Sequence, residues 1–468
     1  MDRQALYRII PKVDRLLDNE TVAALTEKYG ARVVTEVIRE ETERLRGLIR
    51  DATDEKEAEQ QVEQQVRRLP EKIEEEVHKL FTPKIRKVIN ATGTILHTNL
   101  GRAPLSEEQA RKVAETASCY SSLEYDLETG ERGDRCASAE ALFCRLTGAE
   151  AAMAVNNNAA ALLLILNTLA KGGDVIVSRG ELVEIGGKFR IPDVMEQSGA
   201  RLAEVGTTNK TRLQDYEQAL TGETRAVLKV HTSNYRIVGF TESVPAETLK
   251  EFTASAGLPL IWDLGSGVII DPECYGLAHE PTVREAVSAA DVICFSGDKL
   301  FGGPQAGIIL GRRELIWKMK KNPLSRALRP DKFVIAALEL VLMDYLDVAH
   351  TAEKIPVIRM ISESEKSVRA RAEILCAMIL ESAPEARVTV EPSHAQAGGG
   401  ALPGEEIPSA AVVIRPGKLS SSGLTYAMRH MRVPVVARTS EDAVWLDVRT
   451  IDQEDFGLLA EMLGEVLA

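Results

Sequence analysis

A lysine stands three residues past a short apolar run, in Ser296-Gly297-Asp298-Lys299-Leu300-Phe301-Gly302-Gly303-Pro304-Gln305-Ala306-Gly307. It is not preceded by Gly and followed by Ser or Thr, so this is no Walker phosphate loop. An amine desolvated in a tight, glycine-rich turn has a lowered pKa and becomes a nucleophile, as Schiff-base formation with an aldehyde requires. One apolar run upstream, Leu258-Pro259-Leu260-Ile261-Trp262-Asp263 ends in a carboxylate followed by Leu264-Gly265-Ser266-Gly267. Pyridoxal phosphate gives a buried carboxylate at that place a purpose: Asp263 would keep the pyridinium nitrogen protonated, so that the ring acts as an electron sink. The phosphate of such a cofactor needs an anion site. Asn156-Asn157-Asn158-Ala159 lies between a run ending at Val155 and a helical segment, where free N–H groups and the positive dipole end meet an anion. His231, which closes Val227-Leu228-Lys229-Val230-His231, and Ser296 are placed to touch the ring or the phosphate. Taken singly, each has a plainer alternative: Lys299 a solvated turn residue, Asp263 a helix cap, Asn157 or Asn158 an N-cap, His231 and Ser296 satisfied structural groups. The pairing of Asp263 with a strand-end Lys299 one βα unit downstream is what points to pyridoxal phosphate.

Such groups need a sheet to hold them. Between Phe81 and about Ile316 short apolar runs alternate with amphipathic segments. Strands are predicted at Lys87–Asn90, Ala151–Val155, Asp174–Ser178, Arg201–Val205, Ala226–His231, Leu258–Asp263, Asp291–Ser296 and Gly307–Leu310, with helices at Ala159–Ala170, Leu213–Ala219, Ala246–Ala256 and Val283–Ala289. This alternation predicts an α/β domain over residues 81–330, with a mostly parallel sheet covered on both faces and ligands at the carboxyl ends of its strands. Residues 1–80 read as a helical domain and linker, since Leu6, Ile9, Ile10, Val13, Leu16 and Leu17 recur at helical spacing. Residues 331–468 read as a connecting helix, Phe333–Tyr345, and a small α+β domain in which Gly398-Gly399-Gly400 forms a flexible turn.

The composition sets outer bounds. Of 468 residues, 44 % are hydrophobic and 27 % charged, enough apolar content for sizeable cores. The net charge of −13 gives no bulk attraction for nucleic acid, and 4 % aromatics argue against platforms that stack many bases. The N-terminus shows no apolar signal-peptide core, and the apolar stretch Ala159–Ala170 is too short for the roughly 20 residues of a membrane span, so a cytoplasmic protein without membrane contact is expected. Six cysteines without a CxxC pair read as reduced thiols rather than as a disulfide frame or zinc site, and no metal is expected. Cys119 and Cys136 have no assigned role.

Four segments together carry a family resemblance. They are Val88-Ile89-Asn90-Ala91-Thr92-Gly93-Thr94-Ile95-Leu96-His97-Thr98-Asn99-Leu100-Gly101-Arg102-Ala103-Pro104, Leu123-Glu124-Tyr125-Asp126-Leu127-Glu128-Thr129-Gly130-Glu131-Arg132-Gly133, His231-Thr232-Ser233-Asn234-Tyr235-Arg236, and the Ser296–Gly307 segment. The chain resembles the bacterial selenocysteine synthase, or L-seryl-tRNA(Sec) selenium transferase, family over nearly its whole length. The resemblance implies a pyridoxal-phosphate fold-type-I-like large domain, with the Schiff base on Lys299 and the pyridinium partner Asp263. It implies conversion of seryl-tRNA(Sec) to selenocysteinyl-tRNA(Sec) with selenophosphate, through a cofactor-bound aminoacrylyl intermediate. It also implies that Arg102, Arg326 and Arg329 bind the selenium donor, and that the protein is a homo-oligomer, in the family a decamer built as a pentamer of dimers.

Because the substrate carboxyl is esterified to tRNA, no arginine clamp for a free carboxylate is needed, which frees arginines for phosphate. Arg326 and Arg329 share a face if their segment is helical. One alternative is a pyridoxal-phosphate lyase of a small amino acid or amino sugar acid on the same scaffold, which would gain nothing from residues 1–80; another is an RNA-binding or scaffold protein with an inert enzyme fold, against which the intact Asp263/Lys299 pair counts. Arg32, Arg39, Arg44, Arg46 and Arg50 crowd one region of the helical domain, either as a phosphate face or as the basic half of Glu–Arg pairs.

Overall fold

Seven short strands, most of them apolar and ended by Gly or Ser, become one sheet in the larger of two compact units. The computed structural model describes residues 3–52, 55–185 and 189–467, and divides into units of residues 1–87 and 88–468. The large sheet consists of β1 (Ala151–Val155), β2 (Asp174–Ser178), β3 (Arg201–Val205), β4 (Thr224–Val230), β5 (Leu260–Gly265), β6 (Val292–Ser296) and β7 (Gly307–Gly311). Its spatial order is β1-β7-β6-β5-β4-β2-β3. Only β7 is antiparallel to its neighbours; the other ladders are parallel. Alternate residues of these strands enter two different cores. Ala152, Ile176, Leu260, Ile293 and Ile308 join one, with Phe143 and Leu338 from covering helices, while Ala151, Val175, Ile261, Val292 and Ile309 join the other, with Leu162 and Ile316. Burial on both faces is why the inner strands read as largely apolar runs and not as alternating patterns, whereas the edge strand β3 buries only Val205.

A second, six-stranded sheet combines Arg387–Gly398, Ile407–Arg415, Val435–Ser440 and Ala443–Asp447 with two strands from far upstream, Ile89–Ala91 and Thr94–Leu96. The expected strand at Lys87–Asn90 therefore belongs here and not to the large sheet. Ile89 pairs in parallel with Val435, and Thr94 in parallel with Gln396. Asn90 makes the turn between the short strands, its amide donating to Thr94 O at 2.9 Å. Helices Glu365–Ser382 and Phe456–Leu467 cover the sheet with Val368, Leu375, Leu459 and Leu463. Helix Lys332–Leu346 does not lead out of the large domain as expected: Ile335, Leu338, Val341 and Leu342 lie in its core.

The smaller unit is helical. Arg3–Ile9, Val13–Leu17, Glu20–Tyr29, Ala31–Asp51, Glu55–Arg67 and Leu69–Phe81 bury Leu6, Leu16, Val22, Val34, Ile38, Ile49, Val62, Ile73 and Val77 together. Of the crowded arginines, Arg32 pairs with Glu36, Arg44 with Glu41, and both Arg46 and Arg50 with Glu43, so most of that charge is matched within its own helix. Among the described residues, no helix is long and apolar enough to cross a membrane. All six cysteines are free; Cys136 caps helix Ala137–Thr147, and burial pushes its thiol up to about 11.

Candidate functional site

Asp263, Asn158, His231, Ser296 and Lys299 lie at the carboxyl ends of strands of the large sheet or in the turns that follow them. Asp263, on β5, is 2 % exposed and lies in register beside Cys294 of β6. Its Oδ1 accepts from the Asn158 amide at 2.9 Å and from Gly265 N at 3.0 Å. Burial raises its pKa, against those two hydrogen bonds and the charge of Lys299. Asn158 opens helix Asn158–Leu169 directly after β1, with Asn157 as N-cap accepting from Ala160 N at 2.9 Å. This loop lies against β7 so closely that a Cβ on Gly307 would stand 2.1 Å from Asn157 O. Asn157 therefore does what the plainer alternative expected, whereas Asn158 is the first residue of the helix and its amide orients Asp263. Its own Oδ1 is buried without a partner.

Lys299 is 3 % exposed, in the turn after β6. The turn is fixed by Gly302 N donating to Lys299 O at 2.8 Å and by Tyr345 Oη donating to Phe301 O at 2.9 Å. Burial lowers the lysine pKa, the Arg102 charge lowers it further, and Asp263 and Asp298 oppose both. The amine is thus tilted toward its neutral, nucleophilic form. Gly400 closes over it. A Cβ there would lie 2.6 Å from Lys299 Nζ, and the residue has φ +85°, which favours glycine. The segment expected as a flexible turn is instead a wall of the site, delivered by strand Arg387–Gly398; three successive glycines were the signal for such a close approach.

Arg102 reaches the same turn through a 3.0 Å salt bridge to Asp298 Oδ2, from a backbone held at φ +61°. A non-glycine residue held there carries a conformational cost that its surroundings must offset. Asp298, immediately before Lys299, was not singled out by sequence, yet it decides where this guanidinium sits. Arg326, on helix Leu324–Ala327, and Arg329 are both exposed. Their segment is tied to the loop Asn156–Asn158 by Asn156 N donating to Leu328 O at 2.8 Å. Arg329 approaches Glu124 at 3.7 Å, and Glu124 also binds Arg132 and Arg135. Ser296 is buried at the end of β6. His231 follows β4, its backbone N donating to Asp263 O at 2.8 Å. Its ring is taken by Glu280, for which the sequence carried no signal.

Comparison with known proteins adds a family. The model described as L-seryl-tRNA selenium transferase matches residues 88–452, and that described as selenocysteine synthase N terminal matches residues 7–46. The chain belongs to the L-seryl-tRNA selenium transferase family. It is 43 % identical over 468 residues to the L-seryl-tRNA(Sec) selenium transferase of Alkaliphilus oremlandii (strain OhILAs), covering 100 % of both chains. To that of Alkaliphilus metalliredigens (strain QYMF) it is 46 % identical over 467 residues, again covering 100 % of both. A solved structure of D-glucosaminate-6-phosphate ammonia-lyase superposes with TM-score 0.56 at 20 % identity, covering 83 % of this chain and 98 % of that one. The lyase shares the fold, that of the pyridoxal-phosphate fold-type-I enzymes. Full-length identity to selenium transferases separates this chain from the lyase alternative.

Proposed function

We propose that the chain converts seryl-tRNA(Sec) to selenocysteinyl-tRNA(Sec), with selenophosphate as selenium donor and pyridoxal 5'-phosphate as cofactor. The observation that carries this reading is the buried pair at the ends of β5 and β6: a carboxylate whose hydrogen-bond donors are neutral, and a lysine tilted toward its free amine. A pyridinium N–H suits the first and an aldehyde the second. The phosphate suits the start of helix Asn158–Leu169, and Asn157 and Asn158 there, with His231 and Ser296 at neighbouring strand ends, would hold the cofactor. When bound, pyridoxal phosphate supplies an electron sink for charge developing at the serine Cα.

Asp263, oriented by Asn158, is the counter-charge that keeps the ring nitrogen protonated. Lys299, when its amine is free, would take the Cα proton at Nζ, and its burial among glycines would keep water from competing for that proton. The β-hydroxyl would leave as water and the selenium of selenophosphate would bond to the β-carbon, the Cα regaining its proton and the Se–P bond breaking by attack of water with release of phosphate. Arg102, Arg326 and Arg329 hold selenophosphate with guanidinium forks matched to a tetrahedral oxyanion. Arg102 is kept in place by Asp298, and Arg329 stands beside Glu124. Residues 1–80 bind the tRNA. The protein works in the cytoplasm as a homo-oligomer, in the family arrangement a decamer.

A single-turnover assay tests the reading. Cofactor-loaded protein mixed with seryl-tRNA(Sec) should change its visible spectrum, and added selenophosphate should yield selenocysteinyl-tRNA(Sec). A spectrum that responds to free small amino acids or amino sugar acids but not to seryl-tRNA(Sec) would instead support a lyase.

A further inference from the structure

Glu280 is 5 % exposed, and one of its oxygens serves two partners from the site. Oε1 meets His231 Nε2 at 2.8 Å and accepts from Ser266 Oγ at 3.3 Å. Ser266 immediately follows β5, which bears Asp263, and His231 immediately follows β4, its backbone bonded to Asp263 O. Glu280 thus joins two strand ends at the point where the cofactor pair sits. The exposures give the pair a direction: the Glu280 side chain is 6 % exposed and the imidazole 20 %, so the carboxylate lies on the protein side and the ring on the open side.

A carboxylate oxygen has lone pairs and no proton to give, so each group converging on it must bring a hydrogen. Ser266 brings one. His231 must bring the other on Nε2, which fixes the tautomer of the ring. We propose that Glu280 is a positioning residue for His231: it holds the imidazole at the carboxyl end of β4 with the proton on Nε2, leaving Nδ1 as the nitrogen available to cofactor or substrate. The same logic governs metal sites, where a second carboxylate orients a histidine and sets which nitrogen acts. Here the oriented group serves an organic site. The assignment rests on His231 being part of the cofactor site, and the two claims are separable by experiment.

Magic-angle-spinning NMR of the full chain labelled with ¹⁵N-histidine reads the tautomer directly, with the His231 signal identified by its loss in H231N. In the wild type the proton is expected on Nε2. In Glu280→Gln the side-chain amide can offer either N–H or C=O to the ring, so a second tautomer should appear. A wild-type ring bare at Nε2, or a ring unchanged by Glu280→Gln, overturns the proposal; should that variant fail to fold, the wild-type tautomer alone decides. Titration of cofactor-free protein with pyridoxal phosphate then tests the underlying placement. Glu280→Gln and H231N should each weaken binding by roughly tenfold, and the double variant should be no weaker than the poorer single one, as for two residues acting as a unit. Wild-type cofactor affinity in H231N would remove His231 from the site whatever its tautomer, and additive losses would mean that Glu280 acts separately from it.

Discussion

Lys299 owes its proposed reactivity to what surrounds it. Replacing it with Ala should abolish covalent capture of pyridoxal phosphate, so that after borohydride reduction peptide mass mapping finds no pyridoxyl adduct; an adduct on another lysine would show the site to be misplaced. The pH dependence of capture has a definite sign. Below the lysine pKa the ammonium has no lone pair to attack with, and above it the amine attacks. Cofactor-free protein should therefore react with pyridoxal phosphate with an inflection below the 10.5 of an ordinary lysine. Arg102→Ala removes a cation that favours the neutral amine and leaves Asp298 unopposed, so the inflection should move up; a downward move would contradict the role of Arg102. For the selenium donor, Arg326→Ala should weaken apparent selenophosphate affinity roughly tenfold or more, since hydrogen bonds to charged groups are each worth about 1.5–3 kcal/mol. Seryl-tRNA(Sec) binding should be unchanged, and Lys should rescue poorly for want of the fork. Lys299, Asp263 and Asn158 were legible in the sequence because each closes an apolar run. Asp298, Cys294 and Glu280 were not, because what they do depends on partners brought together only by the fold: Arg102 lies 196 residues from Asp298.

At the scale of elements, the turns matter more than the strands they join. Gly307 lets β7 pass beneath the loop Asn156–Asn158 with no Cβ in between. Gly307→Ala should push that loop away, at a cost of roughly 1–3 kcal/mol for overpacking. It should lose cofactor affinity as well, because the loop carries both the helix N-terminus and the Asn158 amide that orients Asp263. Denaturant midpoint and cofactor titration together check this, and a destabilised protein with unchanged affinity would detach the loop from the site. The seven strands of the large sheet were readable from sequence to within a few residues, the inner ones because burial on both faces leaves a largely apolar run; the edge strand β3 buries only Val205. Helix Glu107–Ser118 was not expected, because it buries only Gln109 and so carries no apolar stripe, whereas Arg313–Lys321 was missed although Leu315, Ile316 and Met319 mark a helical period. The arginines of helix Ala31–Asp51 were visible as a cluster, but their pairing with Glu36, Glu41 and Glu43 follows from a helical pitch that places residues three, four or seven apart on one face. Exposed pairs of this kind are worth about 0–1 kcal/mol each, so they do not bar a stronger anion from taking the same arginines.

For the whole molecule, the division at Lys87 makes the helical unit removable. A chain of residues 88–468 should fold, take up pyridoxal phosphate, and lose tight binding of seryl-tRNA(Sec) in a filter or anisotropy assay; full affinity in the truncated chain would sink the tRNA role of the helices. The large sheet and the C-terminal α+β domain were foreseeable, but the addition of Ile89–Ala91 and Thr94–Leu96 to the second sheet was not, because periodicity identifies a strand without naming its partner. That sheet joins Ile89 to Val435, which gives the chain a timetable. At about 5–20 residues per second of synthesis, Ile89 waits roughly 20–70 s for its partner to be made. All seven strands of the large sheet lie between Ala151 and Gly311 and can close during that wait. The glycine wall at Gly398–Gly400 comes off the ribosome about a hundred residues after Lys299. Until that wall is made the Lys299 amine lacks part of the burial that lowers its pKa, so the reactivity proposed for it is complete only as translation ends.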